Sequence, residues 1–231
     1  MKIGIIGAGN IGGVLAGRLT ELGHEVEIAN SRGPDTLGEV AERTGATPVE
    51  AADAPAGKQL VVVTIPMIKV PDLPHGLFDT APAEQVVVDT CNYYPRQRDG
   101  AIDALEQGTV ESVWVSEHIG RRVTKAFNNI YFTSLDEGGK PAGADDRIAL
   151  PVSGDDEQRK GVVIELIDEL GFDAVDAGSL EDSWRQQPGT PVYTTDNDVA
   201  GVREALEAAP RERPEEFSAT ADSPGSFDSP E

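Results

Sequence analysis

The chain has 231 residues, 39% of them hydrophobic, and 41 Asp and Glu against 19 Lys and Arg give a formal net charge of -22. That length supports a substantial core, while the charge excludes nucleic acid and anionic membrane surfaces as partners, because like charges repel. No stretch is long and apolar enough to span a bilayer, the N-terminus enters a strand with no signal peptide, and Cys91 is the only cysteine, so a cytoplasmic setting without an intramolecular disulfide is expected. The acidity is uneven. Residues 1–32 balance three acids with three bases, whereas residues 136–200 carry 16 acids and 5 bases. Six of the 19 cations are lysine. This balance is similar to the surfaces of salt-adapted proteins, with a mildly acidic soluble protein as the plain alternative.

In chain order, the first 32 residues carry the strongest pattern. Ile3, Ile5 and Ile6 mark a strand, and Gly7, Gly9 and Gly12 then form G-x-G-x-x-G. Ile11, Val14, Leu15, Leu19 and Leu22 recur at helical spacing, and Val26 and Ile28 mark a second strand. In that setting the first glycine permits a tight turn, the second lets a pyrophosphate approach the backbone, and the third lets helix pack close on strand. The helix presents free N–H groups and its positive end to the phosphates. An NAD site usually has a carboxylate at the end of the second strand, where it accepts hydrogen bonds from the ribose and repels a 2′-phosphate. This chain has Asn30, Ser31 and Arg32 there. Two small hydrogen-bonding side chains and a guanidinium suit phosphate, so NADP(H) is the expected cofactor.

Strand and helix continue to alternate. A short helix is expected over 36–42, a short strand at 47–49, and apolar strands over 59–65 and 85–90, ending at Pro66 and at Cys91-Asn92. A helix carrying Val113, Trp114 and His118 leads to a sixth strand over 121–127. The alternation predicts an α/β fold: a Rossmann-type doubly wound parallel sheet over residues 1–127, with a smaller C-terminal α/β lobe over 128–209 closing a second-substrate cleft. In that lobe, 134–146 reads as an exposed loop, 148–153 as a strand, 155–170 as an amphipathic helix stopped by Gly171, 173–176 as a strand, and 198–208 as a last helix, with a helical turn near Leu180. Residues 210–231 are rich in Pro, Ser and acids, with Phe217 and Phe227 as apolar anchors, and read as a disordered acidic tail.

Motifs of nucleophilic or metal chemistry do not emerge. His24, His75 and His118 have no metal-ligand spacing, and neither HExxH nor a Ser-His-Asp arrangement is visible. Cys91, at the end of an apolar strand, reads as a buried inert thiol.

The segments GIIGAGNIGGVLAGRL, HEVEIANSRGP, VVVTIP, KAFNNIYF and VSGDDEQRKGVVIELIDELGFDAVDAGSLEDS together resemble the family of deazaflavin (coenzyme F-420)-dependent NADP oxidoreductases, over about residues 2–195. The resemblance implies NADP lying across the carboxyl ends of the strands. Ala8, Gly9, Asn10 and Ile11 then form the phosphate loop, Ser31 with Arg32 clamps the 2′-phosphate, Ile65, Pro66 and Met67 border the nicotinamide ribose, and Asn92 closes the site. It also implies direct hydride transfer between NADP(H) and coenzyme F-420 held in the cleft, near Asn128, Tyr131 and Phe132. Such a transfer between two redox rings needs orientation and exclusion of water more than a protein nucleophile. Two segments depart from the family pattern. Asn128 stands where deazaflavin-using relatives can carry a histidine, and PGTPVYTTDNDVAG replaces an apolar cleft helix.

Two other readings remain open at the level of sequence. Lys125 with Asn129 is similar to the K-x-x-N-N string of β-hydroxyacid dehydrogenases, in which the lysine moves the proton of a small hydroxy or carbonyl substrate. Lys125 sits in a segment of strand character, where the plain reading is a solvent-facing cation. A non-catalytic NADP-binding redox sensor is the third reading; it would bind NADPH without oxidising it. The aromatic pairs Tyr93-Tyr94 and Tyr131-Phe132 read as either a homodimer interface or the cleft wall, and the cleft wall is favoured because both follow predicted strand ends.

Overall fold

The computed structural model describes residues 1–230. Its first half is a sequence of parallel strands and covering helices: β1 (Lys2–Ile6), α1 (Asn10–Glu21), β2 (Glu25–Ala29), α2 (Gly38–Thr44), β3 (Thr47–Pro48), β4 (Leu60–Val63), β5 (Val86–Asp89), α3 (Asp103–Glu106), α4 (Glu111–Ile119) and β6 (Thr124–Lys125). These six strands form one sheet in the order β3-β2-β1-β4-β5-β6, and all neighbours are parallel. The order reverses between β1 and β4, the topological switch at which an open α/β sheet leaves a crevice beyond its carboxyl edge. The sequences of β4 and β5, LVVV and VVVD, are buried throughout, as strands covered on both faces must be.

The second half adds α5 (Phe132–Glu137), β7 (Ala149–Val152), α6 (Glu157–Glu169), β8 (Asp173–Asp176) and α7 (Val199–Glu207). Strands β7 and β8 pair in parallel with α6 as their crossover. Ser153, just past β7, exchanges both backbone hydrogen bonds with Lys125 of β6, at 2.8 and 3.0 Å, which couples the small sheet to the large one. One apolar cluster holds Ile3, Leu15, Ile28, Val62 and Val88 together with Phe127, Leu150, Val163, Ile167 and Phe172. Residues 128–209 therefore continue the core of the sheet. Arg18, in the last turn of α1, donates to the carbonyls of Leu135, Asp136 and Leu170 at 2.6 to 2.9 Å. It binds the carboxyl ends of α5 and α6, where cations are favoured by the helix dipoles.

Three expectations are corrected. The sixth strand is two residues long, because Phe127 adopts φ 60 and turns the chain out of the strand. The segment expected to be loop over 134–146 begins inside α5, whose Leu135 is fully buried. The tail expected to be disordered lies along the body as far as residue 230. Arg213 Nη1 stands 2.9 Å from Oε1 of the fully buried Glu111 as an ion pair. Arg96 donates to the carbonyls of Ser218 and Glu215 at 2.8 and 2.7 Å, and Ala219 N–H donates to Glu106. A composition argument counts the tail's few apolar anchors and misses these polar ones, whose partners are distant in sequence.

Burial raises the Glu111 carboxyl above the usual carboxylate range, even with Arg213 beside it. A carboxyl whose pKa is raised by folding holds its proton more tightly in the folded state, so its contribution to stability falls as pH rises through that window. Arg213→Ala leaves the buried carboxylate without its ion-pair partner, with the Tyr93 N–H bond at 3.1 Å remaining. The variant is expected to lose about 3–5 kcal/mol at pH 8, and clearly less near pH 5, in urea denaturation. Equal losses at both pH values would show that Arg213 acts through packing alone.

Candidate functional site

The carboxyl edge of the sheet brings together the turns after β1, β2, β4 and β5. Gly7 N–H donates to Ala29 O at 2.8 Å, Thr64 N–H to Ile6 O at 2.9 Å and Thr90 N–H to Val63 O at 3.0 Å. The three motif glycines divide their roles as their surroundings dictate. A Cβ on Gly7, whose φ is 120, would lie 2.0 Å from Thr64 O, and one on Gly12 would lie 1.9 Å from Gly7 O. Both positions are closed by protein backbone. A Cβ on Gly9 would meet nothing within 4 Å. Gly9 thus faces open space directly at the start of α1, which is where a diphosphate needs to approach. Helices α6 and α7 are capped by Asp156 and Asp198, but α1 has Gly9 as its cap, no side-chain cap and no acid in its first turn. Its N-terminal N–H groups remain available to an anion. Gly9 and Asn10 are exposed, and Ala8 and Ile11 half-buried, around that opening.

The turn after β2 is shaped by Asn30. Its Oδ1 accepts from Arg32 N–H at 2.9 Å, and its Nδ2 donates to Thr36 Oγ1 at 2.9 Å. Asn30 is therefore committed to the loop, while the exposed Ser31 and Arg32 side chains have no bonding partner among the described residues. Arg43, which sequence reading passed over, reaches from α2 to the first turn of α1, with Nη2 3.1 Å from where a Gly13 Cβ would lie. A second guanidinium thus lies beside the first turn of α1, and the Glu50 carboxylate lies beside Gly33. Ile65 and Pro66 are half-buried at the rim after β4. Met67 is fully buried in the core cluster, so its side chain does not border the crevice. Pro66 turns the chain into a 3-10 segment that directs Met67 inward.

Beyond β5 the polar groups are tied to one another. Asn92 Nδ2 donates to Asn128 O at 2.9 Å, and Asn128 Nδ2 donates to Asn92 Oδ1 at 3.0 Å and to Gln186 O at 2.6 Å. Gln186 Nε2 donates back to Asn128 Oδ1 at 3.0 Å. Asn128 is buried and serves as a link between the β5 turn and the 181–186 turn. Asp99, also buried, accepts from Ile68 N–H at 3.3 Å and Tyr94 N–H at 2.8 Å, locking the turn after β4 to the turn after β5. Gln186 and Asp99 carry no motif, and their position follows only from the tertiary arrangement.

The solvent-facing reading of Lys125 is overturned. Its side chain is fully buried, with Nζ 3.2 Å from Asp89 Oδ2 and donating also to Cys91 O. Asp89 further accepts from Ser112 Oγ at 2.6 Å and Cys91 N–H at 2.8 Å. An apolar strand that ends in Asp gave the one sequence signal for this pair. Asn129 is likewise fully buried; its backbone carbonyl accepts from Thr194 N–H at 2.7 Å, and its side-chain amide has no partner among the described residues. The Cys91 thiol is pushed well above its ordinary range, first by burial and then by Asp89, which makes it a poor nucleophile. Tyr93 is buried in the core, its hydroxyl accepting from Ile102 N–H and placed to donate to either Gly100 O or Glu106, so it forms no cleft wall. Tyr131 and Phe132 are exposed, at 54% and 42%.

Comparison with known proteins agrees with this geometry. Residues 2–93 match the family described as NADP oxidoreductase, coenzyme F420-dependent. The crystal structure of the hypothetical protein SMa0349 from Sinorhizobium meliloti is 32% identical with a TM-score of 0.72, covering 85% of this chain and 95% of that one. A crystal structure from Arthrobacter sp. FB24, assigned as an F420-dependent NADP reductase, is 25% identical with a TM-score of 0.62, covering 79% of this chain and 87% of that one. The Escherichia coli K12 protein YjhV is 39% identical over 75 residues, 32% of this chain and 55% of that protein, so the chain spans about half the length of this curated relative. Over residues 2–93 the chain therefore resembles the coenzyme F420-dependent NADP oxidoreductase family, and the Rossmann-type architecture built around that segment is shared with these solved structures.

Proposed function

We propose that this protein is an NADP-dependent oxidoreductase that passes a hydride directly between NADP(H) and a flat-ring second substrate, a deazaflavin of the coenzyme F-420 type. The observation that carries this reading is the glycine cradle, with Gly9 open toward the uncapped start of α1 and with Ser31 and Arg32 unpartnered beside it. The N–H groups of Gly9, Asn10 and Ile11 would hold the diphosphate, Ser31 and Arg32 the 2′-phosphate, and Ile65, Pro66 and Asn92 would bound the nicotinamide side. When bound, NADP(H) supplies the hydride donor or acceptor at its nicotinamide ring. The residues of this chain orient the coenzyme, exclude water and fix the distance to the second ring, and the transfer asks no proton of them.

The burial of Lys125 favours this reading over reduction of a small carbonyl. Its ammonium is fully buried and already donates to Asp89 and Cys91 O. Among the residues of the alternative site, Asn129 is equally enclosed. The test is to follow NADPH oxidation with a deazaflavin, a flavin, and a panel of aldehydes and keto acids. Turnover is expected with the deazaflavin. Turnover with carbonyls alone overturns the proposal, and tight NADPH binding without turnover on any acceptor makes the protein a sensor.

Arg32→Ala is expected to weaken NADPH by about 10- to 100-fold while changing NADH affinity by less than about threefold. Equal losses for the two coenzymes would remove Arg32 from the 2′-phosphate. The glycines give a second, independent check. Gly9→Ala should keep thermal stability within a few degrees and weaken NADPH by about tenfold or more, because only a ligand competes for that space. Gly12→Ala should instead lower folding stability by about 1–3 kcal/mol through its clash with Gly7 O. Calorimetric titration and thermal melts distinguish the two.

A further inference from the structure

We propose that the flat ring of the second substrate seats on a shelf of Tyr94, Tyr193 and Tyr131, and that in the free protein Phe227, from the chain's own C-terminal segment, holds that shelf until the ring displaces it. The inference rests on the hydride-transfer reading above and adds an occupant and a competitor to its second site.

The shelf lies where such a ring must come. Tyr94 follows Asn92 by two residues beyond β5, and its hydroxyl bonds the Tyr193 hydroxyl. Tyr131 is brought to the same side by the Thr194 N–H bond to Asn129 O at 2.7 Å, which joins the segment of Tyr193 to that of Tyr131, and it is itself 54% exposed. The Arg98 guanidinium stands 5.1 Å from the centre of the Tyr94 ring. Arg98 is itself held by Asp99 at 2.8 Å, so the shelf offers aromatic edges and hydroxyls, which suit a planar aromatic ligand that accepts hydrogen bonds at its rim.

Phe227 already occupies the position of such a ligand. Its ring meets Tyr94 edge-on, with centroids 5.5 Å apart and planes at 71°, yet it remains 62% exposed. The segment that carries it is held unequally along its length. Its base is fixed by Arg213 against buried Glu111, by Phe217 packed on Gly189, and by the two Arg96 hydrogen bonds to the carbonyls of Glu215 and Ser218. Its tip is held by Gly225 N–H donating to Arg96 O at 2.8 Å, by Pro224 against Gly100, and by the Phe227 edge contact. Both ends are tied to the loop that bears Tyr94. Such a strap can release its tip while its base stays docked, so the ring of Phe227 stays near the shelf and competes at high effective concentration. A ligand that needs the tip open binds with its affinity reduced by the open fraction.

The test uses the full chain and two point variants, Phe227→Ala and Phe227→Trp, titrated with 5-deazariboflavin by fluorescence, with NADPH affinity measured in parallel. Phe227→Ala should tighten the deazaflavin by about two- to tenfold, Phe227→Trp should leave it equal or weaker, and NADPH affinity should be unchanged in both. Hydrogen exchange over residues 221–230 should speed when 5-deazariboflavin binds the wild-type chain, and exchange over 213–218 should not. Weaker deazaflavin binding in Phe227→Ala would make Phe227 part of the binding wall and overturn the proposal. Unchanged binding, unchanged exchange, or no binding to either protein overturns it as well. Because binding and exchange are read without turnover, a failure of hydride transfer with these results intact would fall on the functional reading and not on the strap.

Discussion

The arrangement depends on a pair of opposite charges buried together at the carboxyl ends of β5 and β6. Lys125 and Asp89 are both fully enclosed, and around them Ser112, Cys91 N–H and Cys91 O complete the hydrogen bonding. Neither charge could be held in this place alone, since an unpaired ion in the interior is strongly destabilising. The pair therefore fixes where β5 ends and where β6 runs beside it. Lys125 also bridges Ser153 through its backbone, so the same residue sets the junction between the large sheet and the small one. Asn92 and Asn128, three residues beyond each partner, are consequently brought face to face. A cation that sequence places in solvent is thus a structural keystone, and its enclosure takes Lys125 out of reach of a substrate.

The carboxyl edge is divided by this junction into two unlike halves. On the side of β1 and β2, backbone is held tightly and the side chains that could meet a ligand are left free: Gly7 and Gly12 are closed by backbone, Gly9 is open, and Ser31 and Arg32 project without partners. On the side of β5 and β6 the reverse holds. Asn92, Asn128 and Gln186 satisfy each other, Asp99 ties two turns together, and the Tyr94 and Tyr193 hydroxyls meet. Preorganised donors on one half and self-satisfied groups on the other agree with a coenzyme gripped by its phosphates and a second ring held by stacking. They do not agree with chemistry that recruits a side-chain acid or base.

What the sequence disclosed and what it withheld differ in range. The glycine turn, the strands of β1, β4 and β5, and the α6 helix capped by Asp156 and stopped at Gly171 are local features, in which spacing and capping residues act within a few positions. The burial of Lys125 rests on an aspartate 36 positions away, that of Asn128 on a glutamine 58 away, and the docking of the tail on Arg96, 122 positions from Ser218. No periodicity records such pairings. Phe127 was misread for another reason: a bulky residue with positive φ runs against local preference, and only the packing on both sides of it can impose that conformation. Met67 and Tyr93 follow strand ends as site residues would, yet both side chains pack into the core cluster beneath that edge.

The charge of the molecule takes on meaning once the site is located. A surface at -22 repels an anionic coenzyme at long range, and salt weakens that repulsion over roughly 8–10 Å. Near the glycine turn the balance is local: residues 1–32 are neutral, Arg43 beside the first turn of α1 and Arg32 are set against the Glu50 carboxylate beside Gly33, and α1 adds its positive end. On the second half of the edge the guanidinium of Arg98, over Tyr94, is paired with the buried Asp99 carboxylate at 2.8 Å and adds no net charge. Ionic strength then acts in opposite senses, lowering the general repulsion while also screening the few cations that bind phosphate. The second effect is the smaller where the phosphate is held by directed hydrogen bonds at the start of a helix, since contacts that close are screened least. An acidic shell around a neutral, preorganised edge is therefore compatible with coenzyme binding, and more so as salt rises.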